Sequence, residues 1–131
     1  MIVVTTAAMS VALNASSTTK FRSEVRMDET LRKIRGWAHA RNLVIGSTQD
    51  KQMLKLTEEV GELAAAIARN DKRKVLDSAG DVVVVLAILI EQLQDNVTLE
   101  DCVDMAYDEI KDRKGKMVDG VFIKEADLQH Q

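Results

Sequence analysis

The chain has 131 residues, no proline, and only Trp37, Tyr107, Phe21 and Phe122 as aromatics within a 46% hydrophobic composition. That length suits one domain, or a half that completes its core by oligomerising, and so few aromatics exclude stacking platforms as the main mode of binding. With 18 basic and 21 acidic residues, for a net charge of -3, it lacks the basic excess of a general nucleic-acid binder.

Met1 to Thr19 carries no charged side chain and is rich in Thr, Ser and Ala. Residues 1–25 read as a flexible leader; the alternatives are a weak secretory signal or an upstream start codon, with Met27 as the functional start. A first helix is expected from Asp28 to Asn42, with Asp28 as N-cap and Leu31, Ile34 and Ala38 on one face. Gly46, Ser47 and Thr48 mark a loop. A second helix runs from Asp50 to Ala68, where Met53, Leu56, Val60, Leu63 and Ile67 form the stripe of a bundle helix. Asn70 and Asp71 break it.

A third helix is predicted from Lys72 to Gln94. Its Val82–Ile90 run is apolar throughout, and consecutive valines favour a strand locally. No glycine or proline follows Gly80 in this element and its neighbours read as helices, so it is taken as helix. It is shorter than the ~20 residues that span a bilayer. An all-round apolar helix needs cover on every side, which so short a chain supplies best with a partner subunit. A fourth helix opens at Thr98, with Asp101 completing a capping-box-like pair, carries the stripe Leu99, Val103, Ala106 and Ile110, and ends near Gly115. The tail, Lys116 to Gln131, is expected to be pinned onto the bundle by Val121, Phe122 and Ile123. The predicted fold of residues 26–131 is therefore all-α: a four-helix bundle protomer whose core is completed in a dimer or tetramer (a dimer of dimers). Cys102, the single cysteine, excludes an intrachain disulfide, a CxxC motif and a Cys-rich zinc site.

Two acidic groups stand out. At about 100° per residue, Glu58, Glu59 and Glu62 share one arc of the second helix, with Glu59 nearest the apolar stripe. Asp77, Ser78 and Asp81 share a similar arc of the third. Facing each other in an antiparallel pair, these carboxylates would need cations, and hard oxygen ligands point to Mg²⁺ or Mn²⁺. Gly61 and Gly80 are expected to let the two helices approach closely. The plainer reading of an EExxE sequence is a solvated helix face. A di-iron centre would want Glu-x-x-His pairs, and neither His39 nor His130 has a Glu three residues before it.

The run Gln52 to Leu89, QMLKLTEEVGELAAAIARNDKRKVLDSAGDVVVVLAIL, resembles the MazG-like nucleoside triphosphate pyrophosphohydrolases of the all-α NTP pyrophosphatase superfamily. Their hallmark is EExxE on one helix and ExxD on the next. The first half matches at Glu58, Glu59 and Glu62. In the second half Asp81 is the Asp, but Ser78 stands where the family usually has Glu. The resemblance covers about residues 27–128 and is closest to small single-domain members, several of them encoded by phages.

The resemblance implies cleavage of a triphosphate between its α and β phosphates, giving a monophosphate and pyrophosphate. It implies Mg²⁺ or Mn²⁺ on Glu59, Glu62 and Asp81, with Asp77 or a water making good the ligand that Ser78 supplies poorly. Glu58, with Glu59 beside it, would orient or deprotonate the attacking water. Lys55, Arg113, Lys116 and Lys124 are the candidate phosphate contacts, and the resemblance favours Arg113 and Lys116 in that role, from this chain or from a neighbouring subunit. The plainer roles are an ion pair of Lys55 with Glu59, and favourable placement of Arg113–Lys116 at the end of the fourth helix dipole. Trp37, Gln52 and Asn42 are candidates for the base, although a lone Trp in a helical stripe is more often core; His39 reads as a surface residue. A deoxynucleotide, first of all dGTP, is the expected substrate of a cytoplasmic enzyme without nucleic-acid or membrane partners. The alternative is a non-catalytic helical nucleotide-sensing or interaction module, which Ser78 favours and the intact Glu58-Glu59-Glu62 set opposes.

Overall fold

The computed structural model describes the backbone of residues 15–129 and the side chains from residue 26 to 129. The helical periodicities are realised in α1 (Ala15–Ala40), α2 (Gln49–Ala68), α3 (Lys72–Glu91) and α4 (Leu99–Ile110). A hairpin of β1 (Gly115–Val118) and β2 (Val121–Lys124) follows, then the single turn α5 (Glu125–Leu128).

Local chemistry sets most of the boundaries. The Thr48 side chain accepts from the Lys51 amide at 3.3 Å to start α2, and Asp71 accepts from the Lys74 amide at 3.0 Å to start α3. Thr98 and Asp101 cap α4 reciprocally. Two helices end alike on an asparagine in the left-handed region, Asn42 after α1 and Asn70 after α2, both at φ 56°. After α1 the Leu43 amide bonds the Ala38 carbonyl; after α2 the Asp71 amide bonds that of Ala66. These are Schellman closures with asparagine in the usual glycine place.

Several boundaries differ from expectation. α1 begins at Ala15, so Asp28 lies inside a helix and caps nothing. No Gly or Pro between Ala15 and Met27 stops the helix from propagating. The expected leader is thus helical in backbone over residues 15–25, while residues 1–14 lie outside those described. Val82–Ile90 is helical, but α3 ends at Glu91 because Gln94 and Asn96 turn left-handed. α4 ends at Ile110.

The fold is mostly helical, consistent with the all-α expectation, with one small two-stranded sheet added. Asp119 and Gly120, at φ 50° and 79°, make the left-handed two-residue turn that suits a tight hairpin. The strands then pair with Val118 opposite Val121 and Met117 opposite Phe122. Val121 and Phe122 remain exposed, so the tail is not pinned onto the helices by them.

α3 is the central helix and packs against α1, α2 and α4. Ala38, Val44 and Ile88 form the innermost cluster, flanked by Leu43 and Val84. Val85, Ala87 and Ile88 are buried within the protomer whereas Val83 is exposed, so the apolar run is covered on most of its circumference, not all. Around Gly61 and Gly80 there is open space where a Cβ would stand, so neither glycine serves a close helix approach.

Candidate functional site

The turn Arg69–Asp71 folds α3 back along α2 and sets the two acidic arcs side by side. Glu59, the acid nearest the apolar stripe, is buried. Its Oε1 lies 2.7 Å from Lys55 Nζ, which also reaches Glu58 Oε1 at 3.1 Å. Lys74 Nζ stands between the helices, 3.1 Å from Glu62 Oε2 and 3.1 Å from Asp77 Oδ2. The carboxylates hold both lysines above the ordinary lysine pKa. For Lys55 the bond to Glu59 is the main cause; for Lys74 it is the bond to Asp77, then that to Glu62. The acids are thus gathered in two lysine-centred groups, one on α2 and one bridging α2 to α3.

Ser78 is fully buried, and among the described residues its Oγ has no hydrogen-bond partner. That is a cost, because a buried hydroxyl left unpaired forfeits its hydration. Asp81, one turn further along α3, is half-buried and faces the same cavity as Glu59. This cavity, about 430 Å³, lies among α1, α2 and α3. Leu43, Val84, Val85 and Ile88 give it an apolar wall, and Gln52, Lys55, Glu59 and Asp81 a polar one. Trp37 of α1 also lines it and is 43% exposed, with the Arg41 guanidinium 4.8 Å from the ring centroid. Gln52 is buried, and its Nε2 donates to Ser47 Oγ at 3.0 Å.

The structure does not bring every expected residue to this place. Arg113 follows α4, while Lys116 and Lys124 lie on the hairpin; none lines the cavity. Strand alternation also puts Lys116 and Lys124 on opposite faces of the ribbon. Among the described residues no group of three or more His, Cys, Asp or Glu side chains is arranged to hold a metal ion. Two long-range pairs went unread in the sequence. Arg35 Nη1 donates to both Glu100 carboxylate oxygens, at 2.9 and 2.8 Å, tying α1 to α4. His39 Nε2 lies 2.7 Å from Glu91 Oε1, tying α1 to α3, so His39 is an exposed residue with a partner. Residues so far apart in the chain leave no spacing signal.

A family model, the MazG nucleotide pyrophosphohydrolase domain, matches residues 47–118, which hold α2, α3, α4 and β1. The chain is also similar to an uncharacterized 18.2 kDa protein from the rep-hol intergenic region of Haemophilus phage HP1 (strain HP1c1). The two are 42% identical over 74 residues, covering 56% of this chain and 45% of the phage protein. The chain therefore spans less than half the length of that relative. No solved structure matches it.

Proposed function

The chain belongs to the MazG nucleotide pyrophosphohydrolase family, and on that premise we propose that it is a metal-dependent enzyme that splits a deoxynucleoside triphosphate between the α and β phosphates. The products are a monophosphate and pyrophosphate, the preferred substrate is dGTP, and the role is control of a nucleotide pool in the cytoplasm. The observation that supports this best is the cavity among α1, α2 and α3. It sets an apolar wall with a tryptophan against Glu59 and Asp81, the two faces that a base and a metal-bound polyphosphate require.

The donor set suits a hard divalent ion. Glu59, Glu62 and Asp81, with Asp77 nearby, offer only carboxylate oxygen, and no Cys or His lies in the acidic arcs. Ser78 fits less well as a direct ligand, being short and neutral. Its buried, partnerless Oγ is suited to bonding a water held beside the acids. Lys55 and Lys74 already place positive charge among these acids, and divalent binding would displace or share them. When bound, Mg²⁺ or Mn²⁺ supplies neutralisation of phosphate charge and a more acidic attacking water. Glu58, exposed and next to Glu59 in the chain, would orient the attacking water and accept its proton as the water oxygen bonds phosphorus and the bond to the leaving pyrophosphate breaks. Lys55, once released from Glu59, would meet phosphate oxygen.

Arg113, Lys116 and Lys124 do not line the cavity, and they would meet phosphate from a second copy. The exposed Val103, Tyr107 and Ile110 of α4 and Met117 and Phe122 of the hairpin offer an apolar surface for such an oligomer. Among the described residues no helix is long and apolar enough to cross a membrane.

The test is a panel of eight nucleoside triphosphates with Mg²⁺ or Mn²⁺, reading monophosphate and pyrophosphate. Equal yields of the two are expected. Inorganic phosphate in twofold excess over monophosphate, without pyrophosphate, would contradict α–β cleavage, and no hydrolysis would sink the enzyme reading. A second reading draws on Ser78 and on the lysine-paired acids: a nucleotide-binding module without turnover, which would bind the same panel and hydrolyse none of it.

A further inference from the structure

β1, β2 and α5 pack on one another, and among the described residues none of them packs more than marginally against α1, α2, α3 or α4. They form an arm that leaves the helices after α4. A two-stranded ribbon on its own is marginal in water and needs cover for an apolar face. Strand alternation puts Met117, Phe122 and Lys124 on one face of this ribbon, where the Phe122 ring lies over Gly115 in the space that a Cβ would fill. Met117 and Phe122 are exposed there.

α4 presents the matching surface. Val103, Tyr107 and Ile110 recur at helical spacing, and each is more than half exposed. The helix carries five acids and no base. Three of the acids are occupied: Glu100 by Arg35, Asp101 in the cap, and Asp108 by Lys111. At about 100° per residue, Asp104 and Glu109 flank the apolar face on either side. Among the described residues neither of them is ion-paired, and neither are Lys114 and Lys124 of the arm. One surface is apolar and acidic, the other apolar and basic, and within one copy they do not meet.

We propose that the arm docks on α4 of a second copy, in a two-fold dimer that exchanges arms. Met117 and Phe122 cover Val103, Tyr107 and Ile110, while Lys114 and Lys124 meet Asp104 and Glu109. Charge complementarity selects a second copy as the occupant, because the two opposite surfaces belong to the same chain and two-fold symmetry makes the contact twice. The exchange also closes on itself, since each arm and each α4 is then used. Of the two strand lysines it commits Lys124 to the interface and leaves Lys116, on the opposite face of the ribbon, open to phosphate. The pairing does not depend on nucleotide hydrolysis, so its test reads mass and not activity.

The full chain is weighed by sedimentation at micromolar concentration, where it should be at least a dimer. Two charge-reversed chains, Asp104→Lys with Glu109→Lys and Lys114→Glu with Lys124→Glu, should each dissociate about a hundredfold more readily, since like charges then face each other. Mixing the two should restore the wild-type mass, because the basic arm of one meets the acidic α4 of the other and the reversed arm meets the reversed α4. Circular dichroism checks that both keep their helices. Cross-linking needs no variant and decides the matter if a reversed chain fails to fold. A carbodiimide added to wild-type chains mixed with nitrogen-15-labelled ones should join Lys114 or Lys124 of one chain to Asp104 or Glu109 of the other. A monomeric wild type would leave α4 to some other cover and overturn the proposal. So would reversed chains that stay paired, folded reversed chains that do not recover on mixing, or cross-links confined to one chain.

Discussion

The span from α1 to α3 and the span from α4 to α5 are built with equal local care and end up differently. Both have capped helix starts, and both have turns whose residues match the backbone. Yet the buried side chains all fall between Leu31 and Ile88 among the described residues, and none lies in α4, the hairpin or α5. Caps and turns are therefore enough to shape an element, but only interlocking apolar faces make a core. The second span keeps an apolar surface that none of the described residues covers, and it carries Arg113, Lys116 and Lys124. The first span holds the acids and the cavity.

The largest expected effect keeps the chemistry in the first span. Glu62→Gln should lower metal-dependent turnover by about a hundredfold or more while circular dichroism shows helicity unchanged. Retained activity would remove Glu62 from the site. Next comes the core itself. Ile88→Ala should cost about 3 kcal/mol in urea unfolding, as a cavity left in packed surroundings. Ile110→Ala on exposed α4 should cost within about 0.5 kcal/mol at low protein concentration. A cost for Ile110→Ala that grows with protein concentration would show a second copy covering α4, and would merge the two spans into one core.

A smaller effect tests the tie between them. Arg35→Ala should cost about 1–2 kcal/mol at neutral pH, because it strips a half-buried carboxylate of a charged partner. Burial by itself pushes the Glu100 carboxyl up. The bond from Arg35 and the bonds at the start of α4 more than offset this and leave it below the ordinary value of 4.5. A lowered carboxyl contributes stability above its unfolded value and loses it as pH falls through the folded one. The gap between wild type and Arg35→Ala should therefore close as pH drops below 4.5 and stay constant above it. The smallest effect concerns Ser78. Ser78→Ala should stabilise the metal-free protein by up to about 1 kcal/mol, since it removes a buried hydroxyl without a partner. It should also weaken Mn²⁺ binding, measured by titration; a loss of stability instead would mean that the hydroxyl is bonded after all.

The α2–α3 pair and its acids were legible in the sequence because their signals are periodic. Glu59 fell nearest the apolar stripe and is the buried acid, and Thr98 with Asp101 wrote a capping box that forms as read. Other features hid for physical reasons. α1 runs back to Ala15 since helix start signals are permissive, and an Asp is tolerated inside a helix as well as at its cap. The hairpin rests on Asp119-Gly120 with strands too short for alternation to stand out from a tail. Gly61 and Gly80 looked like close-approach positions, but a missing side chain means this only when something lies opposite, and nothing does. The bonds from Arg35 to Glu100 and from His39 to Glu91 depend on how α1 lies across the other helices, which no local spacing encodes.

The three-residue turn between α2 and α3 also bears on the order of folding. It makes Glu59 and Asp81 near neighbours along the chain as well as in space, so their half of the site closes through local contacts, the kind that form early and fast. Those contacts bring the acids together with Lys55 and Lys74, the lysines that pair them from the same two helices. The folding arm of a chevron plot should therefore depend only weakly on ionic strength.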